Sequence, residues 1–283
     1  MKKNLFLSVT ALLVLVLFAC HKDYSTEGTR HTVIDTLPAN YPFASGFCEG
    51  VNLGIAIADT VNYTTDTTTL LPDSVQLDMP VAGNQGSQSS CTAWAVVYGV
   101  GSYYAHVKTG KPYSDTGNLS PKFTYNQITK GNCTCTSFLD NLYLLKTQGA
   151  CSLNTMPYNE AECAKQPDSS QKTKAGPYAI AGWQKLDLHN LTLLKHALQD
   201  KKPVIFAIDV DNSFRALSAP YIWNARTGST GQLHAMVITG YDDHKKAFKI
   251  MNSWSTTWAD KGFAWIDYDF FSKYVSPGGY IVL

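Results

Sequence analysis

Two short segments, separated by about half of the chain, constrain it more than anything else in its sequence. The first reads Asn84-Gln85-Gly86-Ser87-Gln88-Ser89-Ser90-Cys91-Thr92-Ala93-Trp94-Ala95. The second opens with Leu233-His234-Ala235-Met236-Val237 and runs on to Met251-Asn252-Ser253-Trp254. Each sets polar, chemically able side chains against an apolar run. Together they offer a thiol, an imidazole and several carboxamides, Gln85 and Asn252 among them. A thiol becomes a strong nucleophile only beside a base, and the two partners are neighbours in space rather than in sequence. A chain that uses both segments must fold so that they meet.

Composition permits such a fold. Of 283 residues, 45% are apolar and 16% charged, which allows a sizeable core and argues against disorder. The net charge is +1 and no basic run is long, so the sequence points away from nucleic-acid binding.

The first residues read as an export signal. Lys2 and Lys3 precede an apolar stretch from Leu5 to Ala19 that is too short to span a bilayer comfortably. Leu17-Phe18-Ala19-Cys20 resembles a bacterial lipobox, which implies removal of residues 1–19 and acylation of Cys20; an ordinary secretory peptide is the alternative. Two or three acyl chains anchor a protein stably where one does not. His21, in place of an Asp, favours the outer membrane of a bacterial cell envelope. Residues 20–70, rich in Thr, Asp, Ser and Gly, read as a lipidated tether, with short strands possible at Val33-Ile34 and Leu53 to Ala58. The rest, residues 71–283, reads as one domain.

There are seven cysteines: Cys20, Cys48, Cys91, Cys133, Cys135, Cys151 and Cys163. With Cys20 assigned to lipid and Cys91 to chemistry, an odd number is left, so not all can pair internally. Export to an oxidising compartment makes one or two disulfides expected. A metal held by Cys133-Thr134-Cys135 is disfavoured, because one intervening residue makes a poor clamp.

Periodicity places the two segments. Ala93, Val96, Val97, Val100 and Tyr104 predict a helix from Ser90 to about Val107, with Ser89 or Ser90 able to cap it. Further helices are expected over Phe138 to Lys146, ended by Gly149, and over Leu191 to Leu198. Strands are expected at Pro203 to Ile208, Ala235 to Gly240, Ala247 to Met251 and Phe263 to Ile266. Helices come first and strands later, which suggests two lobes with the thiol on one and the imidazole on the other. Asp242-Asp243-His244-Lys245-Lys246 reads as a solvated hairpin turn.

At a helix N-terminus the Cys91 thiolate would be favoured, and an imidazolium alongside would favour it more. Gln85 could donate its amide to a developing oxyanion together with the Cys91 N–H. The Asn252 oxygen could accept from the second ring nitrogen of His234 and fix its tautomer. Trp254 could shield that bond from water.

These residues, in this order and with six positions from Gln85 to Cys91, resemble the papain family of cysteine peptidases. His234-Ala235 with Gly240-Tyr241, then Asn252-Ser253-Trp254, Trp258 and Gly262-Phe263, match the family layout. The resemblance implies an α+β papain-like two-lobe fold: a helical left lobe, an antiparallel β-barrel-like right lobe, and the active-site cleft between. It implies a cysteine-type endopeptidase that forms a covalent acyl-enzyme, with Cys91, His234 and Asn252 catalytic and Gln85 at the oxyanion hole. It implies protein or peptide substrates, a monomer, and no metal or organic cofactor. It also pairs Cys133 with Cys163 and sets Ala207 beside the substrate pocket.

The chain departs from the family in places. The family's Cys-Gly-Ser-Cys-Trp is Gln88-Ser89-Ser90-Cys91-Thr92 here, so the disulfide to that loop is absent. The family's Gly-Gly, whose backbone pairs with the substrate residue two before the cleaved bond, is Cys135-Thr136; side chains there are expected to narrow the cleft. Leu233 stands where some relatives have an acid. Residues 21–70 show no amphipathic repeat that could build a helical inhibitory pro-segment. Two other functions fit the same residues: a catalytically silent binding lipoprotein, and a related aminopeptidase or acyl transferase.

Overall fold

The computed structural model describes residues 44–50, 53–54, 60–228, 231–276 and 278–283. The export signal, Cys20, Val33-Ile34 and most of Leu53 to Ala58 lie outside the described residues. Among those described, no helix is long and apolar enough to cross a membrane.

Helix α1 begins at Cys91–Ala93, continues as a π-helical stretch, Trp94–Gly101, and ends as Ser102–Thr109. Every residue from Cys91 to Tyr103 is buried, so α1 is the axis of the helical lobe rather than a surface helix. Helices α2 (Lys122–Thr129) and α3 (Phe138–Thr147) pack around it, and α4 (Ser169–Ala175) follows. The other lobe holds α5 (Leu191–Gln199), α6 (Asn212–Arg215) and α7 (Tyr268–Tyr274).

The strands are β1 (Ser74–Gln76), β2 (Trp183–Leu186), β3 (Val204–Asp209), β4 (Ile222–Trp223), β5 (Leu233–Asp242), β6 (Ala247–Met251), β7 (Phe263–Asp267) and β8 (Gly279–Val282). They form one sheet in the order β2-β8-β3-β5-β6-β7-β4, with β1 added to β5. The sheet stays open, which corrects the barrel-like expectation. Its two ends, β2 and β4, do not pair with each other, and the β4–β7 pair is parallel.

Strand β5 positions the site. It pairs with β3, β6 and β1, and residues 234–241 are all buried. Alternation sends Ala235 and Val237 into the apolar cluster shared with Val96, Val97 and Val100 of α1. Met236 and Ile238 enter the second core, with Phe206, Trp223 and Phe248. A strand covered on both faces reads as a continuous apolar run, as Ala235 to Ile238 does. At Gly240, where the β5–β6 register shifts, any Cβ would overlap the Val75 carbonyl of β1; only glycine allows that crossing.

Two stretches of the residues read as a tether are packed against the domain. Tyr63 is buried, its N–H donates to the Lys185 carbonyl at 2.7 Å, and its hydroxyl donates to Asp200 at 2.8 Å. Residues 44–48 enter the cleft and are described below. Lys185 and Asp200 for the one, and Thr136, Cys135 and Trp254 for the other, give these short segments partners that local composition does not show.

Candidate active site

The two sequence segments are joined directly. The Gln85 N–H donates to the Ser253 carbonyl at 2.9 Å, and Asn84 pairs with Trp254 in an antiparallel bridge. The Ser253 hydroxyl donates to Gln85 Oε1 at 2.6 Å. Across the gap between α1 and β5, the Ala235 N–H reaches Cys91 Sγ at 3.4 Å, placing the sulfur against the residue that follows His234.

Cys91 is the first residue of α1, yet the helix start carries no side-chain cap. The Ser90 hydroxyl bonds the Tyr158 hydroxyl at 2.8 Å instead, correcting the expected capping role. His234 Nε2–H donates to Asn252 Oδ1 at 2.7 Å. The neutral ring therefore carries its proton on Nε2, and the lone pair is on Nδ1, which is buried and makes no hydrogen bond. That tautomer can accept a proton from sulfur. Trp254 stacks on the His234 ring at 4.6 Å and 29°, and Arg215 lies over Trp254 with its guanidinium carbon 5.2 Å from the ring centre.

The cleft is filled. Segment 44–48 runs along it with Phe47 paired in parallel to Thr136. The Thr136 N–H donates to the Gly46 carbonyl at 3.2 Å, and the Cys48 N–H to the Thr136 carbonyl at 3.1 Å. The Phe47 N–H donates to Leu233 O, and the ring packs 4.6 Å from Phe138. Two donors converge on the Ala44 carbonyl: Gln85 Nε2 at 2.9 Å and Trp254 Nε1 at 3.1 Å. A disulfide joins Cys48 to Cys135, the residue before Thr136. Cys91 has no exposed surface.

The segment is not arranged as a substrate. In the family layout, the Thr136 backbone pairs with residues before the attacked carbonyl. Here it pairs with Gly46 and Cys48, which follow the Ala44 carbonyl. The chain runs the opposite way.

Burial sets the protonation of the pair. It pushes the Cys91 thiol up to about 11, against smaller opposing bonds from the Ala235 and Gly46 N–H groups and others. Burial also pulls His234 down to about 3, with the Arg215 charge adding to it and the Asn252 bond opposing. With the cleft filled, the pair is a neutral thiol and a neutral imidazole. The expected lowering of the thiol does not operate in this closed form, because desolvation outweighs the helix terminus.

Other expected positions divide. Thr136 is fully buried and its hydroxyl accepts from Asn141 Nδ2 at 3.0 Å, so its side chain turns inward and does not narrow the cleft. Ala207 is fully buried in the apolar cluster against which Phe47 packs. Cys133 is bonded to Cys163, and Cys135 to Cys48, which leaves neither thiolate of Cys133-Thr134-Cys135 for a metal. No group of three His, Cys, Asp or Glu among the described residues could hold one. Cys151 is free and buried. Sequence reading missed segment 44–48 and Arg215. The unassigned Cys48 was a signal for the first; a lone cation at the end of a four-residue helix gave none for the second.

A model of the papain family cysteine proteases matches residues 74–273. Gamete and mating-type specific protein A of Dictyostelium discoideum is 30% identical over 198 residues, covering 69% of this chain and 42% of that protein. Cathepsin M of Mus musculus is 27% identical over 203 residues, covering 65% of this chain and 56% of that protein. The chain thus spans about half the length of these relatives. Among solved structures, xylellain, a cysteine protease from Xylella fastidiosa, aligns with a TM-score of 0.73 at 21% identity, over 87% of this chain and 98% of its own. At that identity the likeness is one of fold.

Proposed function

This chain belongs to the papain family of cysteine proteases, and on that premise we propose that it is an endopeptidase acting through Cys91. With the cleft open, His234 Nδ1 takes the proton from Cys91 as the sulfur attacks a peptide carbonyl. The negative charge on the former carbonyl oxygen is met by Gln85 Nε2 and the Cys91 N–H. His234 then gives its proton to the departing amine, leaving an acyl group on sulfur. Water, deprotonated by the same nitrogen, releases the acid. Asn252 keeps the ring in the tautomer that leaves Nδ1 as the base. The observation that carries the reading is the His234–Asn252 bond on one ring nitrogen, beside a strand whose next N–H touches the sulfur.

The test is a diverse peptide library treated with the chain lacking residues 1–19, in the presence of a dithiol. Internal cleavage by wild type and none by Cys91→Ala is the expected outcome. Products trimmed only from free N-termini would replace the endopeptidase with an aminopeptidase. No products from either would favour a silent binding protein.

We also propose that Cys20 carries lipid and tethers the protein to a bacterial membrane, on the outer membrane of the envelope. The support is the Leu17-Phe18-Ala19-Cys20 pattern. Cys20→Ser should move the protein from the membrane to the soluble fraction and lose incorporation of labelled fatty acid.

A further inference from the structure

We propose that the Cys48–Cys135 disulfide is a thiol–disulfide exchange site that locks the active cleft: a dithiol that reduces it frees segment 44–48 and uncovers Cys91. The proposal rests on the reading of Cys91 as a peptidase nucleophile.

The bond ties the filling segment to the cleft wall. Cys135 immediately precedes Thr136, whose N–H and carbonyl hold Gly46 and Cys48. Among the described residues no covalent bond besides the chain's own backbone and this disulfide holds the segment in place. What remains without it is a five-residue extended segment with a single isolated bridge, Phe47 to Thr136. Two of its backbone contacts are long, Ala44 to Gly86 at 3.4 Å and Phe47 to Leu233 at 3.3 Å. Bonds at such lengths are weak. The disulfide is a much shorter tether than the backbone that also joins the segment to the domain, so cutting it lowers the effective concentration of the segment beside its seat.

Both sulfur-bearing residues of the lock, Cys48 and Cys135, are half-buried and so within reach of an attacking thiolate. In the second disulfide Cys163 is buried, at 3% exposure, and Cys133 is exposed, so accessibility alone does not separate the two bonds. The two bonds differ in what they hold. Cys133–Cys163 closes a separation of 30 residues within the domain, and Cys48–Cys135 joins the segment to the domain across 87.

The exchange balances. A thiolate of the dithiol attacks one sulfur of Cys48–Cys135, forming a mixed disulfide and releasing the other cysteine as a thiolate, which takes a proton. The second thiol of the reductant, deprotonated, then attacks the mixed disulfide and releases the remaining cysteine, which is protonated likewise. Two electrons and two protons pass from the dithiol to the protein. The reductant leaves as its cyclic disulfide.

The experiment uses the chain lacking residues 1–19 in three forms: oxidised, mildly reduced with dithiothreitol, and Cys48→Ser/Cys135→Ser without reductant. Peptide mapping confirms that Cys133–Cys163 stays intact, and a thermal melt confirms that the double variant folds. Two readouts are taken: hydrogen–deuterium exchange over residues 44–50, and the rate at which an epoxide thiol inhibitor labels Cys91. Expected are faster exchange and roughly 10–100-fold faster labelling in both the reduced and the double-variant forms. Equal labelling and equal exchange in all three forms overturns the lock and leaves the peptidase reading standing. Faster exchange with no labelling in any form supports the lock and overturns the peptidase reading. Unchanged exchange with no labelling overturns both.

Discussion

His234 is held by two groups that act in opposite senses. Asn252 fixes its proton on Nε2 and supports a charged ring, whereas burial and the Arg215 charge oppose one. The sign of the pH dependence follows. A histidine depressed from 6.5 to about 3 stabilises the closed form fully above 6.5, and that stability is lost as pH falls from there through about 3. Cys91, raised from 9.0 to about 11, stabilises the closed form below 9.0, and that is lost as pH climbs through about 11. The closed form is thus favoured near neutrality. Thermal melts of oxidised wild type should fall more between pH 7 and pH 4 than those of His234→Gln, whose side chain has no proton to gain. Gln85 has a double effect, because its Nε2 also holds the Ala44 carbonyl. Gln85→Ala should lower kcat of the opened enzyme by ~10²–10³, yet raise hydrogen exchange at residues 44–50 in the oxidised protein. These side chains were legible from sequence because their order and spacing resemble the papain family layout, with Cys91 and His234 each opening an apolar run. Arg215 was not, since nothing local distinguishes a cation stacked on Trp254 from one in solvent.

Elements were legible where their pattern is local. Helix α3 and strand β6 carry clear periods, and the structure places them at Phe138–Thr147 and Ala247–Met251. Helix α2 hid its period because Lys122, Thr124 and Asn126 are buried among hydrogen bonds rather than exposed. Helix α7, Tyr-Asp-Phe-Phe-Ser-Lys-Tyr, has an aromatic content that suits a strand equally well. The open edge of the sheet depends on pairings far apart in sequence, as does the parallel pairing of Phe47 with Thr136. Seating that segment also demands close approach. A Cβ at Gly46 would overlap the Ser89 backbone, which cannot yield as a flexible side chain would. Gly46→Ala should therefore speed epoxide labelling of Cys91 in the oxidised protein while Cys48–Cys135 stays formed, as read by mass spectrometry. Unchanged labelling would mean that the segment is held by its flanks and not by its fit.

At the scale of the molecule, one sheet covered on both faces joins two cores, and β5 belongs to each. The loop that carries Cys133 is pinned to Cys163 across 30 residues. In the chain-entropy view that bond contributes about 3–4 kcal/mol. Cys133→Ser should lower the melting temperature, and chemical unfolding should show a loss of that order with a steeper slope, because the denatured chain without the cross-link exposes more surface. Segment 44–48 runs in the sense opposite to a bound peptide and is stapled beyond the carbonyl that faces Gln85. Were the enzyme to cut its own chain between Ala44 and Ser45, residues 45–48 would still block the groove, joined to the domain by the backbone and stapled to its wall through Cys48–Cys135. Such a molecule cannot awaken itself by self-digestion; it must wait for an outside donor of electrons, and trimming upstream of residue 45 would shorten it without bringing it to life.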